Sequence, residues 1–317
     1  MTEQIGFDRL TGIIAFARAA SLGSYTAAAR SLSVSPSAIS KSVQRLEDRL
    51  GLRLFTRTTR SLTLTPEGRD LHDRALKLLR DAEEIEQAAA AARSEPAGLL
   101  RITAPLPVGI HLIAPYLPEF RDRYPALSVD LRLNDQFSDL VEEGIDVAIR
   151  IGRLVDSRLI ARKLASNTVC TFASPTYLER RGTPELPDDL EAHDCVNVRF
   201  QSSGQPLRWP FRVGRRIVEI APRAAITVDN TDAVATAIVA GGGIGILPTY
   251  IAMDFVERGV LVPVLKQYWV ERNDIVALWP ESRRGSPNVR VFMKFLEGIF
   301  PDPTPWDKAF SDWHPPA

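Results

Sequence analysis

Five polar side chains within nine residues stand where one face of a helix can present them together. Ser37, Ser40, Lys41, Gln44 and Arg45 are separated by three, one, three and one, the spacing of neighbours on an α-helical surface. Serine hydroxyls pair with several kinds of base edge, and lysine prefers guanine acceptors or phosphate oxygens. Groups of this type, exposed near the N-terminal end of a helix, are what a recognition helix carries into the major groove of double-stranded DNA. Ser35-Pro36 opens the helix, with serine as its cap and proline at the first helical position. Beyond it, Arg57 and Arg60 bracket Thr58-Thr59 and suit the DNA backbone or the minor groove.

Those side chains need a scaffold, and the apolar pattern around them supplies one. Ile39, Val43, Leu46 and Leu50 recur at four, three and four, so the opposite face of the helix is expected to be buried, and Gly51 ends it. Upstream, Leu10, Ile13, Ile14, Ala17 and Ala20 predict the buried face of a first helix. Gly23-Ser24 is a stop and a cap, Ala27, Ala28 and Leu32 mark a short second helix, and Ser33-Val34 a tight turn. Downstream, residues 52–55 and 61–65 alternate on either side of the basic tip 56–60, which predicts a β-hairpin wing. Residues 1–65 thus read as an all-α winged helix-turn-helix. They hold nine basic and four acidic side chains, five net positive charges in a chain whose total is zero. That asymmetry is the footprint of a nucleic-acid module joined to an acidic remainder.

Thr65-Pro66-Glu67 then starts a long helix over 66–93. Leu71, Ala75, Leu78, Ala82, Ile85, Ala89 and Ala92 recur alternately at four and three, a heptad seam that predicts pairing with a second copy. Ser94-Glu95-Pro96-Ala97-Gly98 is a breaker cluster and a hinge. Over 94–300, β-rich runs at 99–103, 129–133, 146–151, 168–173, 217–220, 226–228, 244–247 and 275–279 alternate with helical stretches, which predicts an α/β domain. Arg150 closes the run 146–151, where a guanidinium can face a cleft and hold a carboxylate, or serve a structural ion pair. A helix beginning near Val108 would offer N–H groups to an anion. Together they point to an acidic or carbonyl-bearing small molecule. The proline-rich tail 301–317 reads as loose or as a packed strap.

Other chemistries find no constellation. His72, His111, His193 and His314 share no metal-ligand spacing, and Cys170 and Cys195 have no neighbouring partner. There is no Gly-x-Ser-x-Gly elbow. Gly241–Gly245 lacks the lysine and serine or threonine of a phosphate loop and reads as a tight turn that passes close to the cleft. Neither a catalytic role, nor a metal, nor a cofactor beyond the small-molecule ligand is expected. Residues 233–253 are uncharged, but their glycines and Pro248 argue against a membrane span. Reduced thiols and the absence of a signal-like start favour the cytoplasm.

The runs Phe16-Ala17-Arg18-Ala19-Ala20-Ser21-Leu22-Gly23-Ser24-Tyr25-Thr26-Ala27-Ala28-Ala29, Ser40-Lys41-Ser42-Val43-Gln44-Arg45-Leu46-Glu47-Asp48-Arg49-Leu50-Gly51, Leu54-Phe55-Thr56-Arg57 and Leu64-Thr65-Pro66-Glu67-Gly68 resemble the start of LysR-type transcriptional regulators, in order and at that family's spacing. Pro115–Phe120 with Tyr124-Pro125, Gly144–Gly152 and Gly241–Pro248 resemble its effector domain. The resemblance implies an α/β fold overall: a DNA-binding head, a linker helix, and two α/β lobes like those of periplasmic binding proteins. The chain would cross between lobes near 161 and return near 263–270. It implies that Pro36, Ser37, Ser40 and Lys41 lie against bases, that Arg57 and Arg60 lie on the wing, and that Thr103, Pro105, Asn134, Arg150, Phe200 and Asn230 line an effector site between the lobes. It also implies a homodimer through the linker helix, and a tetramer beyond it. The competing reading is a cytoplasmic small-molecule-binding protein or enzyme that keeps the helix-turn-helix as a structural domain; retardation of the protein's own upstream DNA distinguishes the two.

Overall fold

Ser24 and Ser35 start helices by the same device. Each takes an extended backbone and turns its hydroxyl back to accept an amide three residues on, Ala27 N–H at 3.3 Å and Ala38 N–H at 3.2 Å, which fills one of the donors a helix start leaves open. In the computed structural model of the chain these caps begin α2 (Tyr25–Ser31) and α3 (Pro36–Leu50), which follow α1 (Phe7–Leu22). The structure describes residues 7–57, 62–92, 95–134, 140, 143–152, 159–200 and 203–311. Ser33 takes the left-handed conformation (φ 54°), and the Val34 amide donates to the Ala29 carbonyl at 3.0 Å. This closes the turn between α2 and α3 expected at Ser33-Val34.

The chain divides into two compact units, Met1–Ala89 and Ala90–Ala317. In the first, Phe16, Ala28, Ile39, Val43, Leu46, Leu54 and Phe55 form the core. Two expected buried faces are corrected here. On α1 Gly12, Ala15, Phe16, Ala17 and Ala19 are buried; of the expected face, Ala17 is fully buried and Ile13 and Ala20 pack against the core, but Leu10 is exposed. Small residues let α1 approach α3, where a side chain at Gly12 would meet Leu46, and Phe16 fills the remaining volume against Phe55, ring centroids 5.4 Å apart. On α3, Leu50 is exposed and Glu47 is buried in its stead. The wing pairs β1 (Phe55–Arg57) antiparallel with β2 (Leu62–Leu64). α4 (Pro66–Ala92) follows. Its start is pinned by Thr65, whose hydroxyl donates to the Arg53 carbonyl at 2.7 Å and accepts from the Gly68 amide at 2.9 Å. Gly68 is required there: a Cβ would stand 2.1 Å from the Leu54 carbonyl oxygen.

The second unit is built on one mixed sheet. β3 (Gly98–Ala104) lies between β4 (Leu127–Leu133) and β5 (Val147–Ile151), parallel to both, and α5 (Leu106–Val108) and α6 (Leu117–Arg123) fall between β3 and β4. β6 (Leu159–Ala173) then leaves this first lobe. The second lobe adds α7 (Pro175–Arg181), β7 (Cys195–Val198), the hairpin β8 (Trp209–Val213) with β9 (Arg216–Ile220), β10 (Ala224–Val228), α8 (Thr231–Val239), β11 (Ile244–Pro248), α9 (Thr249–Glu257) and β12 (Val262–Val264). β13 (Val270–Pro280) returns, followed by α10 (Pro287–Ile299) and α11 (Pro305–Ser311). Among the described residues the sheet runs β10-β7-β11-β6-β13-β5-β3-β4, with β12 also on β6.

Every expected run lies on a strand. The run at 168–173 is the end of a strand that starts at Leu159, and β13 pairs with it antiparallel from Val270↔Val169 to Pro280↔Leu159. One apolar core, with Ile102, Phe120, Ile149 and Phe292 in the first lobe and Phe172, Val196, Ile238 and Leu247 in the second, continues through both. Trp306 and Phe310 of α11 belong to it, so the described part of the tail is a packed strap. The tight turn expected at Gly241–Gly245 is present, the Gly241 amide donating to the Ile238 carbonyl at 3.0 Å, and the chain reaches the cleft at Ile246; its glycines serve packing, since a Cβ on Gly243 would meet the Asp194 carbonyl at 2.3 Å and one on Gly245 would meet Val234 and Ile238 of α8 at 2.8 Å. No helix among the described residues is long and apolar enough to cross a membrane.

Candidate functional site

The polar face of α3 follows from how its back is fixed. Ile39, Val43 and Leu46 enter the core, and Glu47, 4% exposed, turns inward beside them. Its Oε1 accepts the amides of Leu54 at 2.8 Å and Phe55 at 3.3 Å, and its Oε2 meets Arg53 at 2.9 Å. One carboxylate thus locks the helix to the first strand of the wing. With that side held, Ser35, Pro36, Ser37, Lys41, Gln44 and Arg45 are exposed and Ser40 is half-buried. The Ser35 and Ser37 hydroxyls bond to each other at 2.9 Å, so Ser35 serves as cap and also orients its neighbour. Arg57 lies in β1 opposite Leu62; its side chain and all of Arg60 lie outside the described residues, as does the wing tip. Glu47 escaped the pattern reading because an acid within an apolar face counts as solvated. Its signal is its place directly after Leu46, followed by Arg53.

The second site is a cleft of about 320 Å³ in the C-terminal unit. Of the six residues expected there, Pro105, Arg150, Phe200 and Asn230 line it. Thr103 does not: it is buried within β3, between Arg132 of β4 and Ala148 of β5, and the chain reaches the cleft only at Pro105. Asn134 does not either; it is exposed at the end of β4, where its amide donates to the Ala104 carbonyl at 3.0 Å. The region after it, 135–139, lies outside the described residues.

The cleft mixes an apolar wall with few polar groups, the usual make-up of a small-molecule site. Ile151, Val169, Val198 and Ile246 supply apolar surface. Arg150 is buried and its Nη1 donates to the Ile149 carbonyl at 2.8 Å. Asn230 caps α8, its Oδ1 accepting from Asp232 at 2.7 Å and Ala233 at 3.3 Å, so that oxygen is engaged in the cap. The helix start after Pro105 is a poorer anion cradle than expected, because Pro105 and Pro107 have no amide hydrogen and only Leu106 between them has one. The polar lining residues missed are Asn167, Arg199, Asp229, Thr231 and Asn273. Asn167 is 4% exposed and its Oδ1 has no hydrogen-bond partner among the described residues. Such a group costs stability unless something bound satisfies it. It sits in the crossover strand β6, where a polar residue among apolar ones reads as surface.

Both cysteines are buried free thiols, and burial pushes Cys195 up to about 12 and Cys170 well above its ordinary value. Protonated thiols are poor nucleophiles.

Residues 10–69 match the family described as bacterial regulatory helix-turn-helix protein, lysR family, and residues 93–300 match the LysR substrate binding domain. An HTH-type transcriptional regulator of Xanthomonas campestris is 36% identical over 289 residues, 90% of this chain and 84% of that protein. Among solved structures, CrgA of Neisseria meningitidis, a LysR-type transcriptional regulator, is 30% identical, with a TM-score of 0.59 over 91% of this chain and 98% of that one. The Vibrio cholerae virulence activator AphB is 28% identical, with a TM-score of 0.62 over 92% and 99%. With a polar helix face in the first unit, a ligand cleft in the second and both family regions matched in order, the chain belongs to the LysR family: it is a DNA-binding transcriptional regulator with a C-terminal effector-binding domain.

Proposed function

We propose that this regulator reads its operator through the exposed face of α3 and answers to a small acidic or carbonyl-bearing effector held between the two lobes. The observation that carries the reading is the α3 face itself. Lys41, Gln44 and Arg45 stand exposed over a back that Glu47 ties to the wing. Ser35, Pro36, Ser37 and Ser40 complete the contact surface at the helix start, and Arg57 and Arg60 hold the DNA backbone from the wing. Two copies pair through α4, whose Leu78, Ala82 and Ile85 are exposed, and two such dimers form a tetramer. Arg150 and Arg199, set against the one lining acid Asp229, favour a negative effector, and the orphan Asn167 favours one that can also hydrogen-bond to an amide. The buried free thiols suit a reducing cytoplasm.

Binding to an operator duplex and to a scrambled duplex tests this. Lys41→Ala and Gln44→Ala should each lose about 1–3 kcal/mol of discrimination between the two, the worth of a base contact. If both variants discriminate as the parent does, the reading helix is not α3.

A further inference from the structure

Away from the interlobe cleft, the C-terminal unit carries a larger groove of about 1080 Å³. One side is the pair of crossover strands, with Lys163 and Thr168 on β6 and Glu271 on β13; the other is the strap, Pro301–Thr304 with Asp307 and Phe310. The LysR substrate binding match ends at residue 300, so the strap wall belongs to the part of the chain beyond it.

The charges in this groove are unbalanced. Glu271, Asp302 and Asp307 all line it. Burial pushes the Asp307 carboxyl up, and the negative charges of Glu271 and Asp302 push it further, against hydrogen bonds from Thr304 and Thr168. Two cations also line the groove. Lys163 pairs with Asp274 at 2.8 Å and also feels the charges of Glu271 and Asp302, and Arg212 stands exposed on β8, so five acid and base groups line the groove with one net negative charge. One half-buried aromatic ring lines the groove with them: Trp269, which stands edge to face on the core residue Phe310, centroids 5.8 Å apart. Thr249, 1% exposed, also lines the groove, and its hydroxyl has no hydrogen-bond partner among the described residues. The carboxylates do not converge on a point, since no group of three acidic, histidine or cysteine side chains among the described residues could hold a metal ion. Spread negative charge beside a half-buried indole ring fits a cation with an extended body, stabilised by ring and carboxylates together.

We propose that this groove is a second small-molecule site, separate from the interlobe cleft, and that it takes an organic cation: a protonated amine carried on an aromatic or apolar body. The amine lies among Glu271, Asp302 and Asp307, and the body lies against Trp269.

Calorimetric titration of the full chain with phenethylamine at neutral pH tests this, with 2-phenylethanol as the neutral counterpart. Saturable binding of the amine is expected, at least about tenfold tighter than of the alcohol, a difference well within calorimetric reach. Glu271→Lys, an exposed change that leaves the Asp307–Thr304 cap intact, should weaken the amine by about tenfold or more, as should Asp307→Asn. Phe200→Ala, in the interlobe cleft, should leave it unchanged. No saturable binding up to about 10 mM overturns the site, since weaker affinity lies below any specific recognition. Equal binding of amine and alcohol overturns its charge selectivity. Binding that survives Glu271→Lys and falls with Phe200→Ala puts the amine in the cleft and overturns the proposal.

Discussion

Glu47 holds two buried amides and an arginine with one carboxylate. Glu47→Ala leaves the Leu54 and Phe55 N–H groups unpaired in the core. The expected loss is about 3 kcal/mol of unfolding free energy, from about 1–3 kcal/mol for each unsatisfied group after partial relaxation. Glu47→Gln keeps one acceptor oxygen and should lose about 1 kcal/mol. Urea unfolding of the two variants measures both, and equal losses would mean that side-chain volume and not the acceptor matters. The exposed polar face of α3 was legible in the sequence, because exposure at helical spacing is a local property. Glu47 and Asn167 were not. Their roles depend on what the chain brings against them from residues 54 and 273, and a single-sequence pattern treats both as surface.

On α4 the heptad seam divides. Leu71 and Ala75 pack into the core of the first unit together with Leu79, which lies off the seam, whereas Leu78 is 39% and Ile85 73% exposed. Two apolar side chains left open on a charged helix are the pairing surface proposed for the second copy. Ile85→Glu should dissociate the dimer, raising its Kd by about two to four orders of magnitude, since an unpaired charge buried in a seam costs about 3–5 kcal/mol. Sedimentation velocity reads the result; a dimer that survives at micromolar concentration removes α4 from the interface. The seam's period was visible in the sequence, but its division was not, because a four-three repeat does not say which partner a position meets. Strands β7, β8 and β12 were invisible for a related reason. They are three to five residues long, and Asn197, Pro210 and Pro263 break their apolar alternation.

Separate cores give the whole molecule two places to fail. Phe16 is fully buried in the core of the first unit, and Arg150 lines the cleft of the second. Scanning calorimetry of the full chain should resolve two transitions. Phe16→Ala should lower the first by the equivalent of about 3–5 kcal/mol and leave the other in place. Small carboxylic acids that bind should raise only the second, through ligand linkage, and Arg150→Ala should abolish that rise. A single transition lowered by both variants would mean that the units unfold as one. The division into a basic reader and an acidic sensor was plain from charge and motif order. The single core shared by the two lobes was not, since it is made by residues more than a hundred positions apart.

The paired strands β6 and β13 have a mechanical consequence. They are the described connections through which the chain enters and leaves the second lobe, and they run side by side in register from Leu159–Pro280 to Val169–Val270, with irregularities at Glu271/Asn273 and Ile275/Val276. A hydrogen-bonded ribbon of two strands resists stretching along its length and shear between its edges, but bends and twists with ease, most of all at a bulge. An effector in the cleft would act only by shifting the balance between conformations of this ribbon and the lobes it joins, and Asn167 and Asn273, register partners on the two strands, line that cleft.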